Sequence, residues 1–438
     1  MVDILFGILG LIILVAIAFL FSNNKSNVKW TQVALGIGLQ LIFAVFVILT
    51  PWGAQVFDAI GNFFVKIISF TNEGSEFVFG VLADQNQFGK AFPPEMEARG
   101  IGFLFAFQVL PTIIFFSSLM GVLYHLGLMQ RLVQGMAWVM QKVLKISGAE
   151  SISVAANVFI GQTEAPLVVR PYVKSMTQSE LLTLMVGGMA TIAGGVLAAY
   201  VGLLGGGDPA QQLYYAKHLL SASIMAAPAT IVIAKILSPE REKSLTMGEV
   251  KVKVEKTASN VIEAAATGAA DGLKLALNVA GMLLAFIALI AMINWILQGV
   301  LTDLMGITTA DGQAITLELI LGYVLSPIAY IIGVPWQDAT QVGSLIGQKI
   351  VLNEFIAYLN LSQLIPTGVL SEKAVIISTY ALCGFANFSS IAIQIGGIGG
   401  IAPTRRSDLA KFGLRAVLGG SLATFMTATI AGVLTSFL

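Results

Sequence analysis

The stretch Asn157-Val158-Phe159-Ile160-Gly161-Gln162-Thr163-Glu164-Ala165-Pro166-Leu167-Val168-Val169-Arg170-Pro171 sets a carboxylate beside an amide and a hydroxyl, between a glycine and a proline. The chain around it is 56% hydrophobic and only 11% charged, with a mean hydropathy of +0.86, where a soluble domain carries roughly 25% charged residues. This composition describes an all-α integral membrane protein that crosses the bilayer many times. An ionised side chain at bilayer depth costs about 3 kcal/mol or more, so such a group faces the protein interior and marks a functional site. Glu164 is that group, and the rest of the chain reads as its support.

Composition also excludes several classes. A single cysteine, Cys383, rules out an intramolecular disulfide and a site of several thiolates. The two histidines, His125 and His218, stand far apart near span ends and form no His-Glu-x-x-His pair, and no Gly-x-Ser-x-Gly elbow occurs. The expectation is a protein that is not an enzyme. A formal net charge of zero gives no footprint for nucleic acid.

The position of charge fixes a topology. Ile4 to Ser22 is free of charge and follows only Met1, Val2 and Asp3, so it is an uncleaved first span; Lys25 and Lys29 follow it, and a second span runs from Thr31 to Thr50. The excess of Lys and Arg in cytoplasmic loops places that loop inside and the N-terminus outside. Residues 51–97 mix apolar residues with Asp58, Lys66, Glu73, Glu76, Asp84, Glu95 and Glu97, the pattern of an external, partly interfacial connection. The third span covers Ile101 to Leu123, and Leu128 to Leu144 is a helix lying at the inner interface.

Residues 151–176 are long enough to cross but polar at the centre, with basic Arg170 and Lys174 close behind. They are expected to form a re-entrant hairpin, since such backbone survives at membrane depth only when buried in protein or lining a cavity. A fourth span, 181–204, is interrupted by glycines around Thr191 and Ile192, and a fifth covers Leu219 to Leu237. A charged inner loop with Arg241, Lys243, Lys251, Lys253 and Lys256 leads through an amphipathic segment, Val261 to Leu273, into a sixth span from Leu275 to Ile296. Beyond Asp303 and Asp311 come an outer interfacial helix, Leu317 to Ile332, and a second polar hairpin, 338–368, carrying Lys349, Asn353 and Glu354 with Asp338 as its outer cap. The seventh span, 374–398, breaks at Gly384 to Ser390, and the eighth, Ala416 to Leu438, returns the C-terminus outside.

The chain therefore divides into N-terminal scaffold spans and an external loop (1–100), a first repeat (101–240), a cytoplasmic loop with its amphipathic lead-in (241–273), and a second repeat (274–438). Each repeat holds a span, an interfacial helix, a hairpin with one glutamate, a broken span and a plain span, and the two enter from opposite sides. Eight transmembrane helices plus two re-entrant hairpins, arranged as inverted repeats with discontinuous helices, are the pattern of a secondary transporter whose sites lie where the breaks meet. Gln162, Thr163 and Glu164 supply one set of donors and acceptors, and Glu354, Asn387 and Ser390 a second. Two carboxylates with amides and hydroxyls suit a neutral ligand rich in hydroxyl and amide groups, such as a nucleoside or sugar, and Phe385 and Phe388 offer rings for a planar base. Carbonyls freed at broken helix ends are hard oxygens suited to Na+.

At these residues the chain resembles the concentrative nucleoside transporter family. The resemblance is carried by Gly161-Gln162-Thr163-Glu164-Ala165-Pro166-Leu167, by Lys349 with Asn353-Glu354-Phe355-Ile356-Ala357-Tyr358, and by Cys383-Gly384-Phe385-Ala386-Asn387-Phe388-Ser389-Ser390. It implies a homotrimer in a bacterial inner membrane, with a scaffold that holds moving transport domains in an elevator mechanism. It further implies nucleobase contacts from Gln162, Thr163 and Glu164, with Val196 and Phe385 lining the base, and ribose contacts from Glu354, Asn387 and Ser390. By the same resemblance, Na+ as the coupling ion would be held by Asn157, the Ile160 carbonyl, Thr191 and the Ile192 carbonyl. The expected substrate is a nucleoside of the uridine kind.

Two rivals share part of this pattern. Protons could couple through Glu164 or Glu354, although the intact Gln-Thr-Glu-Ala-Pro run favours sodium. A channel for a neutral polar solute would also tolerate broken helices, but it would not accumulate its solute against a gradient. Coupling to one positive charge is adequate: moving it inward across 100 mV yields about 2.3 kcal/mol, at about 1.4 kcal/mol per tenfold of accumulation.

Overall fold

The computed structural model describes residues 2–84, 87–88, 104–248, 258–309, 312 and 314–437. The expected contributions of Glu95, Glu97, Lys251, Lys253, Lys256, Asp311 and the start of the third span fall outside them. Among the described residues the secondary structure is helical, with no strand. Seven stretches among the described residues are long and apolar enough to cross a membrane by length and composition. The expected seventh span is not among these: its helices, of 10 and 14 residues, are separated by the non-helical backbone of 382–387, a wider gap than the 191–193 that interrupts the fourth span.

Helices α1 (Val2–Leu20) and α2 (Trp30–Leu49) are joined by a short turn. The next element corrects the sequence reading: the external, partly interfacial connection expected over 51–97 holds one continuous helix, α3 (Pro51–Phe79). Thr50 caps it by accepting from the Gly53 amide, Pro51 occupies its first turn, and its buried residues Gly53, Phe57, Gly61, Ile68, Thr71 and Ser75 recur at helical spacing. The charges that suggested a loop belong to its other faces, and Asp58 pairs with Lys217 at 2.6 Å.

A single turn, Phe105–Gln108, leads into α4 (Leu110–His125), followed by α5 (Leu128–Leu144). Helix α6 (Gly148–Asn157) starts from a capping box, in which Ser147 accepts from the Glu150 amide while the Glu150 carboxylate takes the Ser147 N–H. The chain then runs without regular helix through Val158 to Glu164 and returns through the short turns Ala165–Val168 and Arg170–Val173. Helices α7 (Gln178–Ala190) and α8 (Gly194–Gly205) flank a break at Thr191 to Ala193, and α9 (Pro209–Leu237) closes the half.

The amphipathic lead-in runs into the sixth span without a turn, in one helix, α10 (Val261–Leu297). Helix α11 (Leu317–Ile331) precedes a hairpin of α12 (Ala339–Val351) and α13 (Glu354–Leu364); α14 (Glu372–Ala381) and α15 (Phe388–Ile401) flank the second break, and α16 (Arg406–Leu434) ends the chain.

Both polar segments return to the level at which they start. Lys235 pairs with Glu150 at the beginning of the first and donates to Ser179 just after its end, at 2.8 Å. Asp338, which opens the second, accepts from the Ser371 hydroxyl at 2.5 Å, where Ser371 caps the following helix. The two bases lie at opposite ends of α1. The Asn23 amide beyond its C-terminus donates to the Leu237 carbonyl next to the first base, and Asp3 at its N-terminus pairs with Lys373 next to the second.

Burial separates core from periphery. The windows over Gln178–Gly205, Pro209–Leu237 and Pro403–Phe437 are each 89% buried, against 22% for Asp3–Leu20 and for Val261–Leu304. The outward faces of α1, α2 and α10 keep large apolar side chains exposed, among them Leu5, Ile42, Leu284 and Trp295, as lipid contact allows and water does not. In the core, Gln40 donates to the Thr427 hydroxyl at 2.9 Å and ties α2 to α16 across the apolar interior.

Candidate functional site

The breaks in the core helices are produced by side chains that cap new helices in the middle of the fold. Asn353 accepts from the Ile356 amide at 2.9 Å and starts α13; Asn387 accepts from the Ser390 amide at 2.8 Å and starts α15. Helix α8 has no side-chain cap, and its first amide, Gly194 N–H, donates 3.1 Å to the Phe159 carbonyl of the first hairpin tip. The orphan donors of an interrupted helix are thus satisfied by another break. The Phe385 amide donates to the Thr191 carbonyl at 3.3 Å and links the two breaks directly. The approach is close: a Cβ on Gly384 would lie 2.8 Å from the Met189 carbonyl oxygen, so only glycine fits there.

At this crossing the polar side chains form two connected groups. Gln162 donates through Nε2 to Ser390 Oγ at 2.9 Å, and its Oε1 accepts from Gln394 Nε2 at 3.0 Å. Gln394 also donates to the Met185 carbonyl at 3.0 Å. Glu354 accepts from the Tyr200 hydroxyl at 2.8 Å on one oxygen and from Asn387 Nδ2 at 3.1 Å on the other. Asn387, whose Oδ1 caps the helix that bears Ser390, connects the groups. Gln162, Glu354, Asn387 and Ser390 therefore meet although they come from both halves, and all four are buried.

The remaining expected residues are placed as follows. Val196 is buried on α8, and Phe385 is half-buried at the second break. Thr163 and Glu164 are exposed on the hairpin tip. The Glu164 carboxylate folds back over Gly161, where a Cβ would come 2.4 Å from Oε2. Phe388 is exposed at 48%. Neither Tyr200 nor Gln394 was singled out in the sequence. Each is a polar side chain in an apolar helix, a signal it shares with residues that bond within their own turn.

The candidate ion ligands gather beside the same crossing. Asn157, 1% exposed, donates from Nδ2 to the Ser153 carbonyl at 3.0 Å, while its Oδ1 has no hydrogen-bond partner among the described residues. A Cβ on Gly187 would lie 3.2 Å from Asn157 Nδ2, and the Gly187 carbonyl accepts from the Thr191 hydroxyl at 2.9 Å. Asn157 and Thr191 thus share a neighbour in α7. The Ile160 and Ile192 carbonyls lie in the non-helical backbone on either side. A buried amide oxygen left without a donor costs about 1–3 kcal/mol.

Two polar segments based at opposite ends of α1, with broken helices crossing between them, are the kind of arrangement on which secondary transporters are built. Comparison with known proteins gives the family. Residues 9–82 match the model of the Na+ dependent nucleoside transporter N-terminus, residues 106–207 that of a nucleoside recognition "gate" domain, and residues 218–432 that of the Na+ dependent nucleoside transporter C-terminus. The chain is 46% identical to the uncharacterised transporter YutK of Bacillus subtilis over 98% of its own length and 99% of that protein. It is 40% identical to mouse sodium/nucleoside cotransporter 1 over 97% of its length, spanning 63% of the mouse chain. Among solved structures, CNTnw in an inward-facing substrate-bound state superposes with a TM-score of 0.88 at 43% identity, covering 99% of this chain and 98% of that one. A substituted CNTnw in an outward-facing state reaches 0.91, also at 43% identity, covering 100% and 99%. The chain belongs to the concentrative nucleoside transporter family.

Proposed function

We propose that this protein imports nucleosides by symport with sodium, in an elevator-type alternating-access cycle. The observation that carries the reading is the bonded group of Gln162, Ser390, Asn387 and Glu354, which joins both hairpin halves at the crossing of two helix breaks. A nucleoside offers what such a group binds. The Glu354 carboxylate is an acceptor for ribose hydroxyls, with Asn387 and Ser390 beside it; the Gln162 amide pairs with the donor and acceptor edge of a base, together with Thr163 and Glu164 once the tip closes. Val196 and Phe385 supply apolar surface for the ring. Uridine is the simplest substrate of this description.

Sodium travels as co-substrate, held by Asn157 Oδ1, the Thr191 hydroxyl and the carbonyls of Ile160 and Ile192. The orphaned Asn157 oxygen supports this assignment. Because the Ile160 carbonyl and Gln162 belong to the same hairpin tip, ion binding would order the residues that meet the base and so couple the two solutes. The membrane arrangement we favour has eight spans and two re-entrant hairpins, counting α14 with α15 as one broken span, in a homotrimer of a bacterial inner membrane with both termini outside. The family's inward- and outward-facing structures support the elevator.

The decisive experiment is uptake of labelled uridine into proteoliposomes containing the purified protein, under an inward sodium gradient and, separately, an inward proton gradient without sodium. Accumulation with sodium alone is expected. Accumulation with protons alone would move the coupling role to Glu164 or Glu354, and equilibration without accumulation under either gradient would make the protein a channel.

A further inference from the structure

The two halves bring corresponding elements together, so a contact in one half can be sought in the other. In the first half, three elements converge one turn before the break in α7. A Cβ on Gly187 would lie 3.2 Å from Asn157 Nδ2, on the last residue of α6, and 3.7 Å from Thr230 Cγ2, on α9. Two oxygens there, Asn157 Oδ1 and Thr230 Oγ1, are buried without a hydrogen-bond partner among the described residues. Both offer lone pairs at this place.

In the second half the corresponding three elements converge on Lys349, in the last turn of α12 and 0% exposed. Its ammonium donates 2.8 Å to the carbonyl of Ala381, the last residue of α14, and 3.0 Å to Thr424 Oγ1 on α16, and it lies 5.8 Å from the centre of the Phe425 ring. The correspondence is close in chain terms. Ala190 and Ala381 each end the first segment of a broken helix, and α9 and α16 are each 29 residues long. Where the first half leaves oxygens open, the second fills the same junction with a positive charge.

We propose that Lys349 is a tethered cation that occupies, in the second half, the place that sodium takes in the first, so that each protomer binds a single sodium. This inference rests on the sodium reading given above. Both junctions sit at the C-terminal end of an interrupted helix, where exposed carbonyls and the negative end of the helix dipole call for positive charge. An ammonium at that point is a compact charge with three donors. Being covalently attached, it is present at every sodium concentration. The second hairpin, with Glu354 at its tip, is therefore held in place throughout the cycle, while the first waits for its ion. Lys349 is a positioning residue and touches no substrate.

The test reads sodium rather than activity alone. Bound radioactive sodium per protomer is measured on the purified wild-type protein, and uridine uptake is followed against sodium concentration for wild type, Lys349→Met and Lys349→Asn. A single sodium on wild type is expected, and two would overturn the proposal without recourse to any variant. Lys349→Met, which removes the charge and offers no oxygen, should lose uptake at every sodium concentration. Lys349→Asn copies the first-half ligand and should admit a second sodium, so that uptake returns at high sodium and its apparent order in sodium rises by about one. An unchanged order in Lys349→Asn, or wild-type uptake by Lys349→Met, would sink this inference alone. No sodium on wild type would remove the sodium reading and this inference with it.

Discussion

The tips of the two hairpins turn the chain at the same functional crossing with different degrees of closure. The first uses all of 158–164, and its glutamate, Glu164, ends exposed and folded over Gly161. The second turns through Leu352 and Asn353 alone, and its glutamate, Glu354, is 6% exposed with both oxygens accepting hydrogen bonds. One carboxylate is organised by protein partners, and the other is exposed; in the function proposed here a ligand would organise it. A symporter needs such an asymmetry, since a site complete without its ion would bind the substrate uncoupled.

Four substitutions probe this difference. The largest effect is expected from Glu354→Gln, which exchanges two charge-assisted acceptors for an amide. At about 1.5–3 kcal/mol for each such bond, uridine uptake should fall at least about 100-fold, and thermal stability in detergent should fall with it. Wild-type uptake would remove Glu354 from the site. Glu164→Gln should also cripple uptake, by about tenfold or more, yet leave stability within about 0.5 kcal/mol, as for other exposed positions. A large loss of stability would mean that Glu164 is as organised as Glu354, and the contrast between the tips would fail.

Asn157→Ala removes the orphaned oxygen. The sodium concentration for half-maximal uptake should rise about tenfold, the worth of one such interaction, with the uridine concentration dependence at saturating sodium little changed. An unaltered sodium curve would place the ion elsewhere. The smallest effect is expected from Tyr200→Phe, which deletes one donor to Glu354 and leaves the Asn387 bond in place. The bond to the carboxylate is worth about 1.5–3 kcal/mol, and the freed oxygen can take a ribose hydroxyl in its place, so the uridine concentration for half-maximal uptake should rise by only about three- to tenfold. No change would show that Asn387 alone sets the Glu354 carboxylate.

Much of this was legible in the sequence because polar residues and glycines inside apolar segments have few structural explanations. Gln162, Glu164, Glu354 and Asn387 stand out for that reason, and the breaks beside them could be read from Gly161, Pro166 and Gly384. What escaped was set by partners. Gln394 bonds across to Gln162 and Tyr200 across to Glu354, and nothing local distinguishes such a polar residue from one that bonds within its own turn. The helix read as an external loop escaped for a related reason. In α3 charges at Asp58, Lys66, Glu73 and Glu76 break the apolar run without breaking the helix, because one narrow face carries all the burial. Lys274 in α10 faces outward beside Asp271, 3.6 Å away, and costs the helix nothing.

That uninterrupted α10 sets a length. Its 37 residues at 1.5 Å each make a rod of about 55 Å, against about 30 Å of hydrocarbon. The apolar run from Leu275 to Leu297 accounts for the part that lipid can cover. The turns bearing Glu263 and Asp271 lie alongside α4: the Ser118 hydroxyl donates to the Ala265 carbonyl at 2.9 Å, and a Cβ on Gly272 would lie 2.8 Å from the Ile114 Cα. A helix longer than the hydrocarbon is thick fits by tilting, so the surplus of about 20 Å sets how far α10 leans along its neighbour.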